Sequence, residues 1–154
     1  ELLTPCDPVV SPDHQAWLDL SVHATVELTS EDPMHPIENA LLTGQSGQWT
    51  ASSEGRQVIR LCFDKPQRIH RVVLEFIERD CERTQEFAIL VGMHSASKPL
   101  ELVRQRWNFS PHGSTKEFED YEVNLTGVCT LELQLIPDVS GGPSRATLRR
   151  WHVA

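Results

Sequence analysis

The sequence has few cysteines and no long apolar run, the features that are typical of disulfide-stabilised and of membrane-spanning proteins. Its 154 residues include four cysteines, and no two of them form a C-x-x-C pair. The longest uninterrupted apolar run, residues 87–91, is far shorter than the roughly 18 residues that a membrane-spanning helix requires. Residues 1–5 show neither the basic nor the apolar segment of a secretory signal. We therefore expect free thiols, no membrane partner and a cytoplasmic location.

Basic residues are outnumbered by acidic ones. The chain has 14 Lys and Arg against 22 Asp and Glu, which gives a formal net charge of −8. A protein that holds a nucleic-acid backbone needs an excess of cations on one face. We therefore expect no nucleic-acid partner. The hydrophobic fraction of 39% is ordinary for a globular protein.

Motifs that carry catalysis or bind cofactors are missing. The segment Gly44-Gln45-Ser46-Gly47 lacks the second glycine of a nucleophile elbow at the right spacing, and it precedes a strand instead of following one. The seven histidines show no H-x-x-x-H spacing for a metal, and no glycine-rich phosphate loop is present. We predict no enzyme, no cofactor and no metal. A hydrolase with two carboxylates stays open, because 22 acids offer too many pairs to carry a signal.

Alternation of apolar and polar side chains dominates what is present. It is clearest at residues 131–135, where three leucines alternate with two polar residues. Similar runs predict strands near residues 22–27, 58–63, 72–76, 87–91, 100–109, 121–125 and 146–153. We therefore predict an all-β fold, an antiparallel β-sandwich of about eight strands.

Turn and helix signals separate the predicted strands. Asp64-Lys65-Pro66 predicts a turn. Residues 36–42 predict one short helix, because a proline suits the first turn and a glycine follows the end. Residues 1–21, with three prolines, predict an extended arm packed on a single domain of residues 22–154.

A strand, a short helix, a glycine turn and a tryptophan follow one another in the first third of this domain. They are the strand at residues 24–27, the helix that begins at Pro36, the turn at Gly44, and Trp49 ahead of the next strand. This order resembles the coagulation-factor type C, or discoidin-like, domain of the galactose-binding-like family. The resemblance implies a jelly-roll sandwich whose loops bind a ligand at one end.

The same stretch resembles a second kind of domain. Residues 35–42, followed by Trp49-Thr50-Ala51, are similar to the amino-terminal domain of single-strand-break repair scaffold proteins, which binds a polymerase. Fold alone therefore leaves carbohydrate binding and protein docking open.

The resemblance also bears on calcium. Many carbohydrate-binding members hold calcium with loop carbonyls and with a glutamate in the last strand, in an L-x-E pattern. Here that position matches Arg150. A guanidinium cannot ligate a hard cation, which needs oxygen donors. We therefore expect no calcium at this position.

The candidate ligand contacts come from two polar segments. The resemblance places the loop of residues 78–86 at the ligand end, where Arg79 and Arg83 can donate to sugar hydroxyls or to a partner's carboxylates. Gln85 follows on the same segment. The alternative is a solvated hairpin held by mutual ion pairs. In the second segment, Trp107 and Asn108 combine an aromatic face with an amide, although the alternation also fits Trp107 as a core residue.

Two further residues complete the predicted site. Trp49 is a second candidate for stacking on a sugar, with core packing as its alternative. His35 either caps the following helix or donates a hydrogen bond to a ligand. We predict a non-catalytic binding module with carbohydrate as the ligand, and a protein-docking module as the alternative. The predicted site consists of His35, Trp49, Arg79, Arg83, Gln85, Trp107 and Asn108.

Overall fold

The computed structural model describes residues 16–94 and 98–154, and strands account for most of them. In chain order the elements are α1 (Leu20–His23), β1 (Ala24–Leu28), α2 (Glu38–Leu41), β2 (Trp49–Glu54), β3 (Gln57–Ile77), β4 (Arg83–Met93), β5 (Leu100–Phe109), β6 (Lys116–Ile136), β7 (Arg145–Leu148) and β8 (Arg150–Val153). All the strand pairs formed by these elements are antiparallel. Neither helix of the described residues has the length and apolar character to cross a membrane.

The strands form two sheets. One has the order β1-β3-β6-β4-β5, with β8 also paired to β3, and β2 pairs with β7 in the other. The predicted all-β sandwich of about eight strands is confirmed. The predicted arm is described only from residue 16 onward, where Leu18 donates a backbone hydrogen bond of 2.8 Å to Val153. The rest of that arm, together with Cys6, lies outside the described residues.

The two longest strands, β3 and β6, each take part in both layers of the sandwich. The start of β3 pairs with the end of β6, where β6 also pairs with β4. The end of β3 pairs with the start of β6 and with β8. The two layers meet face to face, because the rings of Phe76 on β3 and Phe87 on β4 lie 5.5 Å apart. Each long strand therefore passes from one layer to the other.

The predicted turn at Asp64-Lys65-Pro66 is wrong, because these residues lie inside β3. Proline is tolerated there because β3 and β6 have no paired residues between Cys62 and Gln67, so no ladder hydrogen bond is lost. In the same way β6 continues through Gly127, whose φ of 72° suits glycine. The predicted strands at 121–125 and 131–135 are therefore one strand.

The agreement in strand number conceals compensating differences. The two fusions remove two predicted strands, whereas β2 was not predicted and the segment 146–153 divides into β7 and β8. The predicted helix contains α2, but α1 was missed. Asp19 caps α1 by accepting a 3.0 Å hydrogen bond from the backbone of Ser21, and this helix replaces the predicted start of β1.

Alternate residues of the central strands form the core. The largest fully buried side chains are Trp49, Trp151, Phe76, Phe87, Phe109, Ile59, Leu61, Ile69, Leu74, Ile89, Leu131 and Leu133. Leu133 pairs with Ile59 on β3 and with Ile89 on β4, at the centre of the larger sheet. The thiols of Cys62, Cys81 and Cys129 are free.

Replacing Leu133 with alanine tests the position of this core. Leu133 is fully buried, so we expect Leu133→Ala to lower the free energy of unfolding by about 2–5 kcal/mol through the cavity it leaves. The matched control is Leu100→Ala, because Leu100 is 54% exposed and should cost about 0.5 kcal/mol or less. Chemical denaturation of the two variants measures the difference. Equal losses would contradict the described packing.

Candidate functional site

A cleft of about 620 Å³ opens at one end of the sandwich. Its walls come from the loop after α2, the start of β2, the end of β3 with the loop that follows it, and the junction of β7 and β8. The cleft brings together His35 and Arg79, two of the predicted site residues. Their role as ligand contacts stays a prediction.

One wall of the cleft is held in place by Arg149. Its Nη1 atom donates to the backbone carbonyls of Ser46 and Gly47. On the other side of this loop, Asn39 Nδ2 donates to the carbonyl of Gln48 at 3.2 Å. A Cβ at position 47 would lie 2.7 Å from Asn39 Nδ2, so a larger residue there would displace the Asn39 amide. A protein cation therefore occupies the carbonyls of this loop.

The resemblance matched Arg150, and not Arg149, to the calcium-ligand position. Arg150 is exposed and pairs across the sheet with Glu75. Arg149 precedes it, at the junction of β7 and β8. Within residues 16–94 and 98–154, no three His, Cys, Asp or Glu side chains are grouped so as to hold a metal ion.

The opposite wall of the cleft is folded around the carboxylate of Glu78. Arg83 Nε donates to Glu78 Oε1 at 2.8 Å, and the backbone N–H of Asp80 donates to Glu78 Oε2 at 3.3 Å. The backbone of Glu78 donates to the carbonyl of Thr115 at 2.9 Å. The loop of residues 78–82 is therefore fixed at both its backbone and its first side chain.

Arg83 is buried in the interior. Its burial is inconsistent with the predicted ligand contact and also with the alternative of a solvated hairpin. Its side chain is 0% exposed. Its Nη1 atom donates to the carbonyl of Pro137 at 2.8 Å and to Gln85 at 3.2 Å, and its guanidinium lies 4.8 Å from the ring of Phe109. Gln85 is likewise fully buried. Both residues belong to β4, on the face that continues into Phe87, which is why they point inward.

A buried polar network continues from Gln85 to β6. Gln85 Nε2 donates to Glu117 Oε2 at 3.2 Å, and Glu117 is fully buried. Burial, together with the neighbouring carboxylate of Glu119, raises the pKa of Glu117 to about 8. Gln105 joins the network by donating to Glu119 and by accepting from the hydroxyl of Tyr121 at 2.7 Å. Burial raises the pKa of Tyr121 as well.

Sequence reasoning missed this network, although one signal could have found it. Tyr121 was predicted on the inner face of its strand. Counting back by twos from Tyr121 places Glu119 and Glu117 on the same face. Residues 117–122 are instead rich in acids, as is typical of a solvent-exposed edge strand. Composition does not show on which face of the strand each residue lies.

The remaining predicted site residues lie outside the cleft lining. Trp49 is fully buried in the core. Trp107 is half-buried and donates from Nε1 to Ser114 Oγ at 3.0 Å. Asn108 is exposed, and its Oδ1 accepts from Thr84 Oγ1 at 2.7 Å. Neither tryptophan offers a stacking surface in the cleft, and the structure brings neither Trp107 nor Asn108 to His35 and Arg79.

Several polar side chains lie at the cleft, and Arg79 is free to contact a ligand. Arg79 is exposed and has no hydrogen bond or ion pair among the described residues. Thr147 Oγ1 is a buried oxygen without a hydrogen-bond partner in the part of the chain that is described. His35 Nδ1 lies 3.5 Å from the carboxylate of Asp32. These donors and acceptors suit a ligand that carries many hydroxyl groups.

Comparison with known proteins identifies solved structures of the same fold. No family model and no curated protein matches the sequence. Among solved structures, a pectin-binding carbohydrate-binding module is similar with a TM-score of 0.60, 16% identity, and coverage of 85% of this chain and 89% of that chain. The family 32 module of AlyQ in complex with 4,5-unsaturated mannuronic acid has a TM-score of 0.60 at 17% identity, covering 86% and 95% of the two chains.

A third similar structure is the family 32 module of C. perfringens NanJ in complex with galactose. Its TM-score is 0.59 at 12% identity, and the match covers 84% of this chain and 92% of that one. The chain has the galactose-binding-like fold. At these identities the comparison establishes the fold alone, and the resemblance to repair scaffold domains stays a prediction.

The buried arginine and the exposed one should differ in their contribution to stability. Arg83→Ala leaves Glu78 without its partner and the carbonyl of Pro137 without its donor. We expect it to lower the free energy of unfolding by about 3–5 kcal/mol. Arg79→Ala, the control four residues away, should change it by about 0.5 kcal/mol or less. Similar values for the two variants, measured by urea denaturation, would show that Arg83 is not buried in an ion pair.

The elevated pKa of Glu117 predicts a pH-dependent loss of stability. Between about pH 5 and pH 8 the unfolded chain releases this proton while the folded chain retains it, so the free energy of unfolding falls as the pH rises. Glu117→Gln cannot ionise and keeps an oxygen that accepts from Gln85. We expect its stability relative to the wild type to rise by about 1 kcal/mol per pH unit in this window.

The control for this titration is Glu122→Gln, an exposed position on the same strand. Denaturation midpoints measured at pH 5, 6, 7 and 8 give the comparison. A difference between Glu117→Gln and wild type that stays constant over this range would mean that Glu117 is ionised in the folded protein.

Proposed function

We propose that the protein is a non-catalytic carbohydrate-binding module that holds a sugar in the cleft between residues 46–50 and 77–80. The observation that carries this proposal is the guanidinium of Arg79, which is exposed and unpaired within residues 16–94 and 98–154, in a cleft whose two walls are fixed by other arginines. A site that is held in its binding geometry loses little entropy when a ligand enters.

The chemistry of the cleft suits sugar hydroxyls, which both donate and accept hydrogen bonds. Arg79 and His35 supply nitrogen donors to the cleft. Because Trp49 and Trp107 do not line the cleft, the proposed sugar is held by hydrogen bonds and not by stacking.

The similar solved structures support carbohydrate as the ligand class. The three described above comprise a pectin-binding module, a module in complex with unsaturated mannuronic acid and a module in complex with galactose. They share this fold over most of both chains. Together with the polar cleft, they favour sugar binding over protein docking.

The carboxylates of the cleft favour binding over hydrolysis. A glycoside hydrolase commonly needs two carboxyl groups that face the scissile bond. Glu78 is engaged by Arg83 and by the backbone of Asp80, so it serves to hold the loop. Among the residues that line the cleft, this leaves Asp80 as the one carboxylate without a side-chain partner.

A glycan array followed by calorimetry tests the proposed function. We expect wild-type protein to bind a saccharide on the array and Arg79→Ala to bind it about tenfold more weakly or worse, because a hydrogen bond to a charged group is lost. Arg106→Ala is the control, since Arg106 is an exposed arginine on β5 outside the cleft lining.

Two outcomes would contradict the proposed function. An empty array, with one stoichiometric protein partner recovered by pull-down, would support the docking alternative. Equal losses of affinity in Arg79→Ala and Arg106→Ala would place the sugar somewhere other than the cleft.

A further inference from the structure

The charges that line the cleft do not cancel. Arg149 donates to backbone carbonyls, which do not neutralise its charge. Arg79 has no partner among the described residues, and the charge of Glu78 is offset by Arg83 at 2.8 Å. When Glu78 is counted with its partner Arg83, the charged side chains left in the cleft lining are Arg79, Arg149 and Asp80. These three have one more positive than negative charge, on a protein whose formal net charge is −8.

From this imbalance we infer that the cleft selects an acidic saccharide, one whose carboxylate or sulfate group lies against Arg79. The inference rests on the proposed function, because it names the class of sugar for the same site. Guanidinium groups match such anions with two parallel N–H donors. The positive charge of Arg149, which also lines the cleft, adds to this preference.

The negative charge of the whole protein does not outweigh this local preference. At physiological ionic strength, charges separated by more than about 8 Å are largely screened. An anion in contact with Arg79 is well within that distance, whereas most of the acidic residues lie outside the cleft lining. A charge-assisted hydrogen bond is also roughly twice as strong as a neutral one.

Paired ligands that differ only in charge test the inference directly. Oligogalacturonate and its methyl ester have the same ring and the same chain length, but the ester has no negative charge. We expect calorimetry at low salt to show the acid binding at least about tenfold more tightly than the ester, which corresponds to one charge-assisted contact. This ratio should fall as salt rises from about 0.05 M to 0.5 M. A sulfated galacto-oligosaccharide beside its unsulfated form distinguishes sulfate from carboxylate as the anion.

Two variants serve as matched controls, one that removes a positive charge and one that removes a negative charge. Arg79→Gln should bring the ratio of acid to ester affinity close to one. Asp80→Asn removes the competing carboxylate, so it should raise affinity for the acidic sugar and leave affinity for the ester unchanged. Both residues are exposed, so both variants should fold.

The outcomes separate this inference from the proposed function. If a neutral saccharide binds in the cleft as tightly as its acidic counterpart, the inference is wrong and the proposed function stands. If Asp80→Asn does not change the preference while Arg79→Gln abolishes binding of both forms, Arg79 binds hydroxyl groups and the inference is again wrong. If neither these probes nor any saccharide of the array binds, the proposed function itself fails.

Discussion

The ion pair between Arg83 and Glu78 is the contact on which the geometry of the cleft depends. A guanidinium that is 0% exposed is costly unless it is paired, and Arg83 is paired through its Nε and Nη1 atoms. Arg83 therefore ties three separate parts of the chain together, namely the start of β4, the loop that begins at Glu78 and the backbone at Pro137. Because the same contact holds the fold and the cleft wall, this wall cannot move without exposing an unpaired charge in the interior.

Arg149 plays the corresponding part at the opposite wall, where its guanidinium lies against the carbonyls of Ser46 and Gly47. The two walls are thus held by fixed positive charges that belong to the chain itself. Arg79 differs from both, since it is exposed and uncommitted among the described residues. Two arginines therefore shape the cleft, and the third is the one for which we propose a ligand contact.

Much of the fold was predictable from alternation, because one buried face imposes a period of two on every central strand. The ends of the long strands were not predictable in this way. Residues 64–66 and Gly127 are of types that favour turns, but they lie inside β3 and β6, where these strands pass from one layer to the other. The buried position of Arg83 was not predicted, for a related reason. Counting back from Phe87 places it inward, but a charged residue on a core face runs against the usual pattern. The nearby carboxylate of Glu78, together with the carbonyl of Pro137 and the ring of Phe109 from distant segments, makes that position favourable.

The most direct test of this account is to map the binding surface by amide chemical shifts in two-dimensional NMR while a saccharide that the protein binds is added. The account predicts that the largest shifts fall at His35, at residues 46–50, at residues 77–80 and at residues 147–149, which surround the cleft. The Arg83 amide and its neighbours on β4 should shift little, because that segment is already locked in place. Shifts centred on Trp107 and Asn108 near the end of β5, with none among the residues that line the cleft, would contradict it.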